Sequence, residues 1–356
     1  MTRDEAAVPE WVSAWLPASW PGSAVSVVVS GPEGRRAWIG GTLAHDDPTP
    51  LTSEHVFDLA SLTKPFVAVA ALRLAERGLL DLDAPVAEHL AVGRSGGGAD
   101  GSRRITARHL LTHTAGLPPV SALWRDGLAA DALLEGVLAT PLVAPPGERH
   151  DYSCLGFIAL GRLLEIVDGT TLDVLVIREV LDPLGAVRAR FGPVAASSAV
   201  ATEIQPHRGL VRGEVHDELA HALGRPVGNA GLFGTVDDVA ALGEMIARGG
   251  DGRVARVLGG ESLRALVTAI PRPAEMDAAY GQTVGLRRAD PGFMGAIDGA
   301  GHTGFTGTSL VVEPDSGRVA VLLTNRVHPT REGADIAPIR QAFARAALGP
   351  DVGRAG

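Results

Sequence analysis

The sequence predicts an α+β fold: an antiparallel sheet of N- and C-terminal strands flanked by helices, with a mainly helical lobe inserted between them. Two observations carry this. Short β-branched runs occur near both ends, and the stretch between them reads with helical periodicity for about 140 residues. A third is the 46% hydrophobic content of 356 residues, ample for a packed core. No internal repeat is visible, so a single unit is expected, with a sheet lobe over about 1–93 and 250–356 and a helical lobe over about 105–249.

Taken in order, residues 24–30 (AVSVVVS) and 36–43 read as strands, and Gly31, Pro32 and Gly34 between them read as a hairpin turn. A helix is expected from about Ser61, because Pro65 is tolerated only near a helix start; Gly78 reads as the glycine just past its end. Residues 94–104 (RSGGGADGSRR) form a polar loop where the chain leaves one lobe for the other. Helical segments follow at 106–113, 128–139, 152–168, 171–184 and 235–248, each broken by Gly or Pro, and 192–202 is a small-residue linker. Strands are expected again at 280–287, 308–313 and 319–324, with a turn at 314–317, then an amphipathic helix over about 335–348.

Composition excludes several classes. A net charge of -9 and no basic run longer than two residues argue against nucleic acid and anionic membrane as partners, which leaves a small molecule. Residues 1–21 carry Asp4, Glu5 and Glu10 but no unbroken apolar core, so they are not read as a secretory signal. Cys154 is the single cysteine, so no internal disulfide can form. The expected location is the cytoplasm.

Lys64 is the single lysine among 32 Lys and Arg residues. A chain that meets its needs for positive charge with arginine keeps a lysine for something arginine cannot do, and giving up a proton is such a task. Ser61 stands three residues earlier, so the pair shares one face of a helical first turn, the S-x-x-K layout of an activated nucleophile. The competing reading is a surface lysine beside a helix cap. The apolar Phe66, Val67, Val69, Leu72 and Leu74 that follow make the helix a core element and weaken it. Tyr152, one of two tyrosines, opens the 152–168 helix and is a candidate base if its hydroxyl faces an ammonium; a packing residue is the plainer reading. The run from Gly301 to Thr308 (GHTGFTGT) enters a strand, where a substrate could lie along the backbone and N–H groups could receive an oxyanion.

S-x-x-K, then Tyr, then H-T-G on a late strand is an order that resembles the serine β-lactamase and penicillin-binding protein superfamily, within it the class C-like esterase and transesterase branch. The resemblance runs from about Val56 to Pro329 and includes 110–117 (LLTHTAGL), 215–218 (VHDE), 228–235 (GNAGLFGT) and 323–329 (LTNRVHP). It implies a β-lactamase/transpeptidase-like fold with the site between the lobes, and acyl transfer without a cofactor. Ser61 would be acylated, Lys64 would be its neutral base partner, and Tyr152 would relay the proton to the leaving atom. The oxyanion would sit between the N–H groups of Ser61 and Phe305, with His302, Thr303 and Gly304 along the substrate.

Two positions depart from that pattern. Cys154 stands where β-lactam-binding members carry the Asn of Tyr-x-Asn, and a thiol is a poor substitute for an amide. His302 stands where they carry lysine; a neutral imidazole attracts a carboxylate less, which favours uncharged esters. Cys154 as nucleophile is disfavoured because a thiol in the first turn of a core helix is expected to be inert. His109 and His113 have i, i+4 spacing, but no third ligand is evident and no metal is expected. His216 and Asp217 are expected to form a structural pair, with the pocket wall as the alternative, and Asp81 and Asp83 to serve a turn. The leading function is hydrolysis of a small ester or amide through an acyl-enzyme. The alternative is transfer of the acyl group to an alcohol or amine; a β-lactamase or D-alanyl peptidase ranks below these, and a non-catalytic binding homologue last.

Overall fold

The computed structural model describes residues 8–17, 20–93, 101–271, 280–333 and 335–349. Strands β1 (Ala24–Gly31) and β2 (Gly34–Gly41) form the expected hairpin, β2 starting two residues earlier than predicted because the turn is confined to Pro32 and Glu33. Two short strands, β3 (Phe57–Asp58) and β4 (Arg190–Phe191), flank β7 (Leu232–Gly234) in a separate three-stranded sheet. Strands β5 (Ala201–Gln205) and β6 (Gly209–Arg212) pair in a hairpin that overlaps the expected 192–202 linker only at its last two residues and otherwise had no sequence expectation.

The remaining strands are β8 (Gly281–Gln282), β9 (Arg287–Arg288), β10 (Ala300–Thr303), β11 (Ser309–Glu313) and β12 (Arg318–Thr324). They join the first hairpin in an antiparallel seven-stranded sheet of order β2-β1-β12-β11-β10-β9-β8. The sheet is thus built from both termini, Val27 of β1 lying opposite Leu322 of β12. The single strand predicted over 280–287 is instead β8 and β9, because Gly285 takes a φ of 92° and folds the chain back on itself.

Both faces of this sheet are covered. Ala24, Val28, Leu310, Val312 and Val321 face a core shared with the Thr63–Glu76 and Val236–Ala247 helices. Val25, Val27, Val311 and Leu322 face the Ala337–Leu348 helix. A strand buried on both sides has no reason to alternate, hence the unbroken apolar runs. The lobe boundary drawn near residue 249 put the Val236–Ala247 helix in the helical lobe, whereas it packs on β1, β11 and β12. A smaller core joins the Ala130–Leu138, Cys154–Asp168 and Glu218–Leu223 helices through Leu134, Leu155, Ile158 and Leu223.

Other helices differ in detail. The Thr63–Glu76 helix is entered through a 3-10 turn, Ala60–Leu62, and the 171–184 segment is interrupted by a π turn, Ile177–Leu181. The helices Glu218–Leu223 and Gly260–Val267 had no sequence expectation. Of the polar loop expected over 94–104, residues 94–100 lie outside the described residues and Gly101–Arg104 form a 3-10 turn. Among the described residues no helix is long and apolar enough to cross a membrane.

Candidate active site

Strand β3 delivers the chain into a strained turn. Ala60 adopts φ 48°, a left-handed conformation that costs a residue with a Cβ roughly 1–2 kcal/mol. The surroundings hold it there. Asp58, buried, accepts the N–H of Ala60 on Oδ1 at 2.7 Å and that of His216 on Oδ2 at 2.7 Å. Thr306 Oγ1 donates to the Asp58 carbonyl at 2.8 Å, Thr308 Oγ1 to that of Leu59 at 3.0 Å, and Thr63 Oγ1 to that of Ala60 at 2.7 Å. Burial pushes the Asp58 carboxyl above its ordinary pKa despite the two N–H groups. The outcome is a fixed Ser61 at the edge of a cleft.

Lys64, fully buried, points all three ammonium hydrogens at named partners. Nζ donates to Ser61 Oγ at 2.9 Å, to the carbonyl of Asn229 at 2.9 Å and to Cys154 Sγ at 3.7 Å. Burial opposes its charge, while the negative charge that Cys154 and Tyr152 would carry on ionising, and then that of Asp217, outweigh it and set its pKa above the ordinary lysine value. That direction favours an ammonium over the expected neutral amine. Burial pushes the Cys154 thiol up in turn, so it stays protonated and is no nucleophile at neutral pH.

Tyr152 does not open a helix, as the sequence predicted. Ser153 is the N-cap, its Oγ accepting from Gly156 N at 3.1 Å, and the helix begins at Cys154. Tyr152 therefore lies in extended chain, its ring centroid 4.9 Å from Lys64 Nζ and 5.1 Å from the Arg287 guanidinium carbon. On β10, His302 is buried and its ring lies 5.9 Å from that of Tyr152. Burial, then the charges of Arg287 and Lys64, hold it well below the ordinary histidine pKa. Its Nδ1 lies 2.8 Å from the Thr303 carbonyl, which can only accept, so the proton of the neutral ring sits on Nδ1.

Gly304 follows where the strand end meets the nucleophile turn. A Cβ there would stand 2.4 Å from the Leu59 carbonyl oxygen and 2.1 Å from Thr308 Oγ1, so only glycine allows the approach. The Phe305 carbonyl accepts from Arg326 Nε at 3.2 Å, and among the described residues its N–H has no hydrogen-bond partner. Its ring stacks on His216 at 5.7 Å, with the guanidinium carbons of Arg326 and Arg331 4.8 and 5.5 Å from its centroid. Ser61, Tyr152, Cys154, Thr303, Gly304 and Phe305 thus border one cleft of about 490 Å3; His302 and Lys64 lie beneath its wall.

The sequence reading missed the arginines of this cleft. Arg331 pairs with Glu203 and Glu218, each at 2.6 Å, and Arg287 with Asp290 at 3.1 Å. Arg326 and Arg340 have no carboxylate within ion-pair distance among the described residues; Arg340 Nη2 donates to the carbonyls of Gly304 and Thr308 at 2.7 and 2.9 Å. Burial pulls its pKa down to about 9. Among the described residues its buried Nε has no hydrogen-bond partner. No signal in the sequence sets these two apart from the other arginines.

The remaining expectations sort as follows. His216 pairs through Nε2 with Glu203 Oε2 at 2.9 Å, not with Asp217, which caps the Glu218–Leu223 helix; both border the cleft. His109 belongs to a capping box with Thr106, and among the described residues no cluster could hold a metal. Asp83 pairs with Arg108 and its N–H is held by Asp81 at 2.9 Å, a turn arrangement.

Comparison with known proteins places this arrangement. A putative D-alanyl-D-alanine carboxypeptidase of Escherichia coli O157:H7 is 28% identical over 362 residues, covering 89% of this chain and 81% of its own. A penicillin-binding protein homologue from Pyrococcus abyssi, octameric in its structure, has a TM-score of 0.68 at 23% identity over 92% of this chain and 74% of its own. EstCE1, a hydrolase with promiscuous acyltransferase activity, has a TM-score of 0.70 at 23% identity over 91% of this chain and 94% of its own. At those identities the two structures speak for the fold alone. The Beta-lactamase family model matches residues 16–344, nearly the whole fold and every site element above, and the chain belongs to that family of serine hydrolases.

Proposed function

We propose that the chain is a serine hydrolase or acyltransferase that works through an acyl-enzyme on Ser61. The observation that carries this is the 2.9 Å contact of Ser61 Oγ with the Lys64 ammonium, on the cleft that Tyr152 and Phe305 also border. Ser61 Oγ attacks the substrate carbonyl and its proton passes to the Tyr152 oxygen. Tyr152 takes that proton as a phenolate, whose negative charge Lys64 and Arg287, the cations beside the ring, stabilise before the transfer. The N–H groups of Ser61 and Phe305 receive the oxyanion. Tyr152 returns the proton to the leaving atom, the carbonyl re-forms, and water, an alcohol or an amine then releases the acyl group. Lys64 acts by its charge and not as a resting base.

The leading substrate reading is a small ester or amide. Arg326 and Arg340, which have no carboxylate partner among the described residues, support a second reading beside it, an amide with a free carboxylate; the E. coli relative carries the name of a putative D-alanyl-D-alanine carboxypeptidase. Labelling with a fluorophosphonate and mapping the adduct tests the chemistry: Ser61 is expected to carry it, and folded protein without label there sinks the proposal. Turnover of neutral esters against carboxylate-bearing amides, each with and without an added alcohol or amine, separates the substrate readings and hydrolysis from transfer.

A further inference from the structure

We infer that His113 is the positioning residue for Tyr152, a role that rests on reading Tyr152 as the proton carrier. Tyr152 lies outside the helix that follows it, so the helix does not fix its backbone. His113 does. Its carbonyl accepts the N–H of Asp151 at 2.9 Å and its Nδ1 accepts the N–H of Ser153 at 3.1 Å, so one residue holds both amides that flank the tyrosine. Its ring also packs against the phenol, with centroids 4.5 Å apart, and against Phe157 on the far side at 5.2 Å. Backbone and ring of Tyr152 are thus clamped by the same residue, the Ser153 amide and the phenol by its side chain and the Asp151 amide by its carbonyl.

The residue type follows from three demands. The position has φ 56°, a left-handed conformation that few residues with a Cβ adopt and that His and Asn tolerate better than most. The buried Ser153 N–H needs an acceptor, and a neutral imidazole offers one on Nδ1 when its proton sits on Nε2. The phenol needs a flat partner. Burial, then the charge of Lys64, holds its pKa well below the ordinary histidine value, which keeps the imidazole neutral and preserves that acceptor. Ser153 Oγ donates to the Pro118 carbonyl at 2.7 Å, tying the C-terminal side of the clamp to a second segment. The tyrosine oxygen is left with little freedom relative to Ser61 and Lys64.

The test is a double-mutant cycle on hydrolysis of a p-nitrophenyl ester. His113→Phe keeps a ring without the acceptor, and kcat is expected to fall about 10²-fold, the cost of a misplacement near 1 Å, with KM little changed. His113→Asn, whose Oδ1 can replace Nδ1, is expected to restore most of the rate. In a Tyr152→Phe background, His113→Phe is expected to have no further effect on kcat, whereas a merely structural residue would add its full loss there. Additive losses overturn the inference, and so does His113→Phe at the wild-type rate. Tyr152→Phe at the wild-type rate overturns the proton-carrier reading and takes the inference with it. Circular dichroism checks the fold, and His113→Ala replaces His113→Phe in the cycle should the latter not fold.

Discussion

Lys64 shows why the lysine is retained. Its ammonium donates in three directions at once, to Ser61 Oγ, to the Asn229 carbonyl and to the Cys154 thiol. A planar guanidinium on a longer stem cannot reproduce that fan in a fully buried site. Beside the argument from proton loss there is thus one from geometry. Lys64→Arg keeps the charge and loses the fan. Turnover of a p-nitrophenyl ester is expected to drop about 10³-fold, in the range of one lost donor to a developing charge. A variant that is folded and within tenfold of wild type would show that charge alone suffices.

At the scale of elements, the site exists because the end of β10 and the turn after β3 approach within van der Waals distance. Thr306 and Thr308 hydrogen-bond the carbonyls of Asp58 and Leu59 across that junction, and Gly304 makes it possible. Gly304→Ala puts a methyl group against a backbone carbonyl that cannot swing away. The two elements must part, the Phe305 N–H shifts from Ser61, and kcat is expected to fall about 10²-fold, as for loss of one oxyanion donor. A kinetic measurement showing unchanged kcat in the folded variant would remove Phe305 N–H from the oxyanion role. The same junction explains what could be read beforehand. Ser61 with Lys64, and His302 with Thr303 and Gly304, are local spacings, so sequence shows them. Arg340 reaches the Gly304 carbonyl from a helix at the far end of the chain, and Asn229 contributes a backbone oxygen, which any residue would supply. His113 was visible as a histidine but not as the holder of Tyr152, because its partners lie in a segment that only tertiary packing brings beside it. The fold was legible where apolar runs met glycines and prolines at their ends. It failed at β8 and β9, where one glycine reverses the chain inside what reads as a continuous strand.

For the whole molecule, building the candidate site against the core buries ionisable groups. His113 and His302 are both buried, and both have pKa values held well below 6.5, burial being the largest cause. The unfolded chain binds a proton at each as pH falls below about 6.5, while the folded chain does not, so the unfolded state holds more protons and folding stability decreases with falling pH. The stability these neutral rings contribute is complete above about 6.5 and is lost progressively below it. His109, His150 and His328, also lowered by burial, act in the same direction. Asp58, raised by burial, opposes them, because the folded state takes up its proton first. Glu203, held below the ordinary 4.5 by His216 and Arg331 against its burial, adds a loss only at lower pH. Each titrating histidine steepens the decline by at most about 1.4 kcal/mol per pH unit. Denaturant titrations between about pH 6.5 and about pH 4.5 are expected to show that decline, and His302→Gln to reduce its slope by about one proton's worth. An unchanged slope in His302→Gln would mean that the ring takes up its proton in the folded site as readily as in water, and the neutral imidazole on β10 would have to be abandoned.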